Sequence, residues 1–226
     1  MLEFWNKEWR EEPMRIISVW SQLASSWQGI DIDQKQIKRA LDVGCGSGWG
    51  CSSFFDFGAH GHAVGFDISE TALEAAAHRT KGYHTSEYAF ALGDAVRLPF
   101  RDSSFDLVFS FDMLTLAGKE CTKMIEEMWR VTGNYLLFNI GYSDRHRHRT
   151  IEGVLRTASL NERKAKKIVS RLAPEQASIC AVTYDEFENW GQPIYSQRHS
   201  KEGERKMALL ILLRKEQSDR DAERAL

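Results

Sequence analysis

The chain has 226 residues, of which 42% are hydrophobic and 27% are charged, and its formal net charge is −2. These values predict a single globular domain with a sizeable core, and the near-neutral charge argues against binding polyanions over the whole surface. The four cysteines have neither CxxC spacing nor the density of a disulfide scaffold. No apolar run is long enough to span a membrane, and the N-terminus is charged. We therefore expect a cytoplasmic protein, monomeric or homodimeric, with neither a membrane nor a metal partner.

The N-terminal segment, residues 1–37, is predicted to form a helical lid. After Pro13, apolar residues recur every three or four positions as far as Trp27, which indicates a helix with one apolar face. One interpretation is that this face simply packs on the domain. The other is that Trp5 and Trp9 also cover a ligand, because large rigid aromatic side chains suit an apolar substrate.

Residues 40–50, ALDVGCGSGWG, combine a short strand, a glycine turn and the start of a helix. The strand is predicted over 40–43 and contains one acid, Asp42. Glycine tolerates positive φ and lets a ligand approach the backbone. Three glycines alternate after the strand: Gly44, Gly46 and Gly48. The arrangement predicts a nucleotide-type site at the carboxyl end of a parallel strand.

Strands and helices then alternate as far as residue 140. Asp67 follows the second predicted strand and lies 25 positions after Asp42 (67 − 42), which suits a βαβ unit that presents a carboxylate to ribose hydroxyls. The alternation predicts a doubly wound, mostly parallel α/β sheet. The predicted strands after the first are 63–66, 88–92, 105–111 and 135–140, with a turn at 132–134. Helices are predicted from residues 49, 70 and 118, and Ser69 is predicted to cap the second of them.

The segment that follows has a different character. Residues 141–172 hold nine Lys or Arg and three acids, a local charge of +6 (9 − 3), and a basic helix is predicted over 160–172. We interpret 141–192 as a basic insertion that covers the substrate. Two further strands, 193–199 and 207–213, are predicted to form a terminal antiparallel hairpin within 193–215.

Several stretches in the central part resemble motifs of class I S-adenosylmethionine-dependent methyltransferases. They are LDVGCGSG (41–48), VGFDIS (64–69), GDAVRLPF (93–100), SFDLVFS (104–110) and EMWRV (127–131). The likeness covers about residues 38–140, the predicted cofactor-binding core. It implies a Rossmann-like, seven-stranded, mostly parallel sheet with an antiparallel last strand, and S-adenosyl-L-methionine as the cofactor.

By position, the resemblance implies a set of cofactor contacts. For the methionine and ribose part they are Asp42, Gly44, Cys45, Gly46, Gly48 and Asp67; for adenine, Ile68, Asp94 and Ala95; below the sulfonium, Ser110 and Phe111. The alternative for the carboxylates is that they only cap helices or turns. A nicotinamide dehydrogenase is the competing nucleotide-binding class, but its motif needs Gly or Ala where this chain has Trp49.

The expected reaction is an in-line methyl transfer, which depends mainly on alignment and exclusion of water. A base is needed only where the acceptor loses a proton. Asp112, after the fourth strand, is our first candidate because a strand end holds it near the cofactor. His146 is second because it titrates near neutral pH.

The acceptor is predicted to be a small anionic or aromatic metabolite. Tyr142 lies where it would meet the acceptor, and Arg145 and Arg147 would clamp an anionic group. The alternatives are an RNA substrate bound by the basic segment 145–171, and a non-catalytic partner protein that binds the cofactor. Nucleic acid is not favoured, because no appended RNA-binding module is found.

Overall fold

The computed structural model describes residues 3, 6–7, 32–56, 61–81, 88–143, 149–151, 155–157, 159–183 and 206–215. Within these residues the chain forms strands and helices in alternation. The strands are β1 Arg39–Val43, β2 His62–Asp67, β3 Tyr88–Leu92, β4 Phe105–Ser110, β5 Thr132–Tyr142, β6 Arg149–Ile151, β7 Leu155–Thr157, β8 Ser159–Leu160, β9 Gln176–Thr183 and β10 Lys206–Arg214. The α-helices are α1 Trp49–Asp56, α2 Glu70–Thr80, α3 Met113–Leu116, α4 Cys121–Val131 and α5 Glu162–Leu172.

The main sheet has the order β3-β2-β1-β4-β5-β10-β9. Strands β1 to β5 are parallel, whereas β10 is antiparallel to both β5 and β9. The short β8 pairs with the carboxyl end of β5, and β6 with β7 forms a separate hairpin. The predicted Rossmann-like sheet with an antiparallel last strand is confirmed. Because β1 to β5 run in one direction, their carboxyl ends share one edge, which we call the carboxyl edge.

The apolar side chains of the strands alternate between the two faces of the sheet. Leu41 and Val108 face the helices α4 and α5, whereas Ala40 and Leu107 face the side that carries Cys51 of α1. All four strand residues are at most 1% exposed. Burial on both faces is typical of parallel strands and explains why β1 and β4 read as nearly continuous apolar runs.

The terminal hairpin was predicted with the wrong partner strand. Strand β10 pairs on one side with β5 and on the other with β9, Gln176–Thr183. Both of its edges are therefore occupied by strands other than the predicted partner. Residues 193–199 themselves lie outside the described residues.

The predicted turn at Thr132–Asn134 is also wrong, because β5 begins directly at the end of α4. Thr132 pairs with Phe105 across the sheet. Its hydroxyl donates to the Met128 carbonyl at 2.7 Å, so the side chain caps the helix while the backbone starts the strand. A Cβ at Gly133 would lie 3.0 Å from the Phe105 carbonyl oxygen, so the close approach of β5 to β4 at this position favours glycine.

Arg130 ties the loop after β3 to α4. Its guanidinium donates two hydrogen bonds to the Glu127 carboxylate, each 2.9 Å, and further ones to the carbonyls of Leu98 and Phe100 and to Asp102. The side chain of Glu127 in turn accepts from the Leu98 N–H at 2.8 Å. Planar, bidentate pairing of this kind fixes the loop geometrically.

Candidate functional site

The glycine loop between β1 and α1 lies at the carboxyl edge of the sheet. Its three glycines have φ values of 76°, 51° and 78° at Gly44, Gly46 and Gly48, a region that L side chains rarely adopt. The N–H groups of Gly44 and Cys45 donate to the Phe66 carbonyl at 2.7 and 3.2 Å, which docks the loop on the end of β2. The backbone of the loop is thus fixed by its neighbour strand.

The end of β4 approaches the same loop closely. A Cβ added at Gly44 would lie 2.5 Å from Cβ of Met113, the first residue of α3. A Cβ at Gly48 would lie 3.0 Å from Cβ of Ala76 in α2. The absence of side chains here therefore allows β1, α2 and the β4–α3 connection to converge.

Asp67 lies at the end of β2 and binds the glycine loop through its carboxylate. One oxygen accepts the N–H of Gly46 and the other the N–H of Ser69, both at 2.9 Å. Burial raises the pKa of Asp67, and these amide hydrogen bonds oppose that rise. A carboxylate has about four acceptor positions, so two amides leave room for ribose hydroxyls.

Asp42 is buried beneath the loop, with 3% of its surface exposed. Its carboxyl oxygen accepts the thiol of Cys51 at 3.6 Å. Burial raises the pKa of Asp42 to about 8, and the neighbouring Asp67 contributes to that rise. The side chain is therefore largely protonated at neutral pH, which the sequence alone did not indicate. Burial also raises the pKa of Cys45 and of Cys51.

The predicted adenine contacts lie around the end of β3. Asp94 is exposed, and one of its oxygens accepts the Val96 N–H at 3.0 Å, which forms an Asx turn. Ala95 is buried and Ile68 is half-buried. Asp94 thus serves as a turn former, the alternative interpretation of the sequence, while its exposed position leaves it accessible to a ligand.

Ser110, predicted to lie below the sulfonium, is fully buried at the end of β4. Its hydroxyl donates to the Val43 carbonyl at 2.7 Å, which links the ends of β4 and β1. Its place below a bound sulfonium stays a prediction. Phe111 lies one residue beyond β4, half-buried, with its ring 5.9 Å from that of Phe109.

Asp112, the first candidate base, is held by a residue that we did not single out. Asn139 of β5, only 1% exposed, accepts the Asp112 N–H at 2.7 Å and donates to the Asp112 carboxylate at 3.1 Å. Asp112 has φ 65° and ψ −26°, the strained left-handed region. The signal that was available is a lone amide inside the apolar run YLLFNI (135–140), since buried polar side chains need a partner.

Arg79 of α2 is a second residue that the sequence did not reveal. Its Nε donates to the Ser47 carbonyl at 2.9 Å, and its guanidinium lies 4.0 Å above the ring of Trp49. It therefore fixes the outer side of the glycine loop. An arginine in the last turn of an amphipathic helix looks like any solvated cation, so no sequence signal marks this contact.

The predicted substrate residues are described only in part. Tyr142 is half-buried at the end of β5, where it pairs with Leu160 of β8. The remaining candidates lie outside the described residues: Trp5, Trp9, Arg145, His146 and Arg147. Of the N-terminal segment, Asn6 accepts a hydrogen bond from the Ser69 hydroxyl at 2.7 Å, which brings residue 6 beside the end of β2.

The sheet order, the antiparallel last strand and a glycine loop backed by an acid at the end of β2 define a methyltransferase of the Rossmann-like class. Residues 28–198 match the family described as "Methyltransferase domain", and the chain belongs to that family. The resemblance to class I S-adenosylmethionine-dependent methyltransferases is thereby confirmed. The family match leaves the nicotinamide dehydrogenase alternative without support.

Curated relatives match parts of the chain. A demethylmenaquinone methyltransferase of Staphylococcus haemolyticus is 42% identical over 79 residues, 34% of this chain and 32% of that protein. Another, of Geobacillus kaustophilus, is 31% identical over 127 residues, 55% of this chain and 47% of that protein. These matches thus span about a third to a half of each relative's length.

Solved structures share the fold over most of the chain. Magnesium protoporphyrin IX methyltransferase of Synechocystis PCC 6803, with bound SAH, has a TM-score of 0.64 at 14% identity, covering 95% of this chain and 98% of that chain. At this identity the likeness concerns the fold alone. Among the described helices, none has the length and apolar character needed to cross a bilayer.

Proposed function

We propose that this protein transfers a methyl group from S-adenosyl-L-methionine to a small aromatic acceptor. The observation that carries the proposal is the glycine loop, held by the Phe66 carbonyl and by the Asp67 carboxylate at the carboxyl edge, in a chain of the methyltransferase-domain family. That edge is where open α/β sheets bind their ligands.

The residues present fit this cofactor. The bare backbone at Gly44, Gly46 and Gly48 gives access to an extended methionine and ribose, and Asp67 has acceptor capacity for the ribose hydroxyls. Asp94 is exposed next to the buried Ala95 and would accept from the adenine amino group. When bound, the cofactor supplies an electrophilic methyl group on a sulfonium.

The protonation of the Asp42 carboxyl is expected to change when the cofactor binds. Burial raises the pKa of this carboxyl to about 8, which favours the protonated form at neutral pH. The cationic methionine ammonium, near which the resemblance places Asp42, favours the ionised form. We therefore infer that cofactor binding releases a proton from Asp42.

The acceptor would lie beyond the ends of β4 and β5, where Asp112 and Tyr142 lie. The relatives are named for demethylmenaquinone, so a quinol-like or phenolic ring is the favoured acceptor class. The acceptor's new bond to the methyl group forms as the carbon–sulfur bond breaks, and the electron pair of that bond stays on sulfur. The proton that the acceptor loses passes to the Asp112 carboxylate.

Asn139 positions Asp112 for this proton transfer. Its two hydrogen bonds to Asp112 fix both the backbone and the carboxylate of the proposed base. Exact placement matters because alignment supplies much of the rate of such displacements. His146, the second candidate base, remains a prediction.

A labelled-methyl assay tests the proposal. Purified protein and methyl-labelled cofactor would be incubated with a panel of naphthoquinols, phenols, carboxylated aromatics and, as the alternative, RNA. Label in an aromatic acceptor, lost in Asp112→Asn but kept in Asp106→Asn, would support it. Asp106 is a suitable control because its carboxylate accepts the N–H groups of Lys38 and Arg39 at the opposite end of the sheet. Label in RNA alone would contradict the acceptor class.

A further inference from the structure

Helix α5, Glu162–Leu172, carries an ordered cationic stripe. Its buried face consists of Ala165, Ile168 and Val169, which pack into the core with α4. The exposed positions recur at the spacing of one helix face: Arg163, Lys166, Lys167, Ser170 and Arg171. Four of these five are cations, and we call these four the α5 stripe.

The α5 stripe is an unfavourable arrangement for an isolated helix. Arg163 and Lys167, and again Lys167 and Arg171, are like charges four positions apart, which destabilises a helix. In the parts of the chain that the structure describes, no ion pair joins any of the four to a carboxylate; the pairs found there involve Lys119 and Arg130. The chain as a whole has a net charge of −2, so the concentration of positive charge is local.

The α5 stripe starts at the carboxyl edge of the sheet. Helix α5 follows β8 with only Asn161 between them, and β8 pairs with Gly141 and Tyr142 at the carboxyl end of β5. Asn161 caps the helix by accepting the Lys164 N–H at 2.9 Å, which fixes its first turn. The cations therefore extend from the edge at which the acceptor is proposed to bind.

We propose that the α5 stripe docks the protein on an anionic phospholipid surface. Four cations within the nine residues from Arg163 to Arg171 cover about 12 Å of one helix face, which suits contact with a plane of headgroups. A site for single-stranded RNA combines cations with aromatic side chains that stack on bases, and the helix sequence ERKAKKIVSRL contains no aromatic residue. The preference for lipid also rests on the proposed function, because an apolar aromatic acceptor is supplied most readily from a bilayer.

Such a contact is peripheral and needs no membrane-spanning segment. It differs from the expectation of no membrane partner, which was based on the absence of an apolar span and on the near-neutral total charge. Net charge averages over the whole surface and does not report a local stripe. Attraction of polybasic segments to anionic leaflets depends on the charge near the surface.

Vesicle co-sedimentation of the full chain tests the proposal. Wild type should bind vesicles of mixed phosphatidylcholine and phosphatidylglycerol but not pure phosphatidylcholine, with affinity falling as salt rises. Each stripe cation removed should weaken binding about fivefold, so that the variant with all four changed to Gln binds roughly 600-fold more weakly.

A charge-matched variant provides the control. Lys35, Lys38, Lys81 and Arg101 are exposed cations outside α5, and changing all four to Gln gives the same net charge as the stripe variant. Retained vesicle binding in this control, with loss in the stripe variant, supports the stripe as the docking site. Equal loss in both would overturn it, because attraction would then follow total charge.

Two further outcomes overturn the proposal. Wild type that does not bind anionic vesicles at low salt would show the stripe to be a solvated face, and stripe-dependent binding to a single-stranded RNA instead of vesicles would assign it to nucleic acid. Circular dichroism and calorimetry with S-adenosylhomocysteine, run on every variant, confirm that the fold is intact. Calorimetry without a signal for wild type would contradict the proposed function, whereas failure of vesicle binding alone would not.

Discussion

Asn139→Ala is the most informative single substitution for the proposed role of Asp112 as a base. It removes the acceptor of the Asp112 N–H at 2.7 Å and the donor to the Asp112 carboxylate at 3.1 Å. Asn139 is 1% exposed, so water does not readily replace the lost amide. Losing both hydrogen bonds should lower the free energy of unfolding by about 2–4 kcal/mol, which is roughly 5–15 °C in Tm for a chain of this length.

The same substitution should affect turnover far more than cofactor binding. Without Asn139 the strained backbone of Asp112 can relax and its carboxylate moves, which should lower kcat about 100-fold. The dissociation constant for S-adenosylhomocysteine, by contrast, should change by less than about threefold, because the Asn139 side chain bonds to Asp112 rather than to the glycine loop or Asp67. Urea unfolding, calorimetry and the labelled-methyl assay measure the three quantities.

Two variants make the result decisive. Asn134→Ala changes the same residue type at the other end of β5, where the backbone carbonyl of Asn134 accepts the Lys215 N–H and alanine preserves that bond; it should retain wild-type turnover. Asn139→Asp keeps an acceptor for the Asp112 N–H but places a second carboxyl group against Asp112 at a buried position, so both kcat and stability should fall. Wild-type kcat in Asn139→Ala would refute the positioning role, even if stability fell.

Three further substitutions test the glycine loop, the buried acid beneath it and the arginine that holds the loop after β3. Gly44→Ala should cost about 2–5 kcal/mol in unfolding free energy, from left-handed strain and overlap with Met113; an equally stable variant in urea unfolding would argue against this packing. With Asp42→Asn, the wild type should lose stability relative to the variant as pH rises from the carboxyl's ordinary value of 3.8 to about 8. The native state binds the proton more tightly in that range, so the slope is at most about 1.4 kcal/mol per pH unit, and a pH-independent difference in unfolding free energy would contradict the raised pKa. Arg130→Lys should lose about 1–2 kcal/mol because the bidentate pair with Glu127 cannot form, and an unchanged Tm would show that pair to be dispensable.

The sequence predicted the parallel core well because the determinants there are local. The strand over 88–92 was placed at its observed bounds, and the first helix, predicted from Trp49, ends at Asp56. Ser69 was predicted as a helix cap, and its hydroxyl accepts the Ala72 N–H at 3.2 Å. Apolar runs, glycines at positive φ and capping residues are each set by a few neighbouring residues.

Features that depend on contacts between residues distant in the sequence could not be predicted from local patterns. Strand β9 begins with three exposed residues, Gln176–Ser178, and its apolar run is limited to the four residues ICAV, so the sequence marks this strand only weakly. Helix α3 has four residues, fewer than periodicity can detect. The orientation of the Ser110 hydroxyl toward Val43, and the choice of Asn139 as the partner of Asp112, depend on which strands become neighbours.

The central claim is that the glycine loop and Asp67 bind the methyl donor. Titration calorimetry of the wild type with S-adenosylmethionine, S-adenosylhomocysteine and NAD tests it most directly, with Asp67→Ala as the matched variant. The account predicts saturable binding of both adenosyl compounds, no binding of NAD, and affinity weakened about tenfold or more in Asp67→Ala, where the ribose acceptor is lost. Absence of binding to both adenosyl compounds, binding of NAD in their place, or unchanged affinity in Asp67→Ala would contradict it.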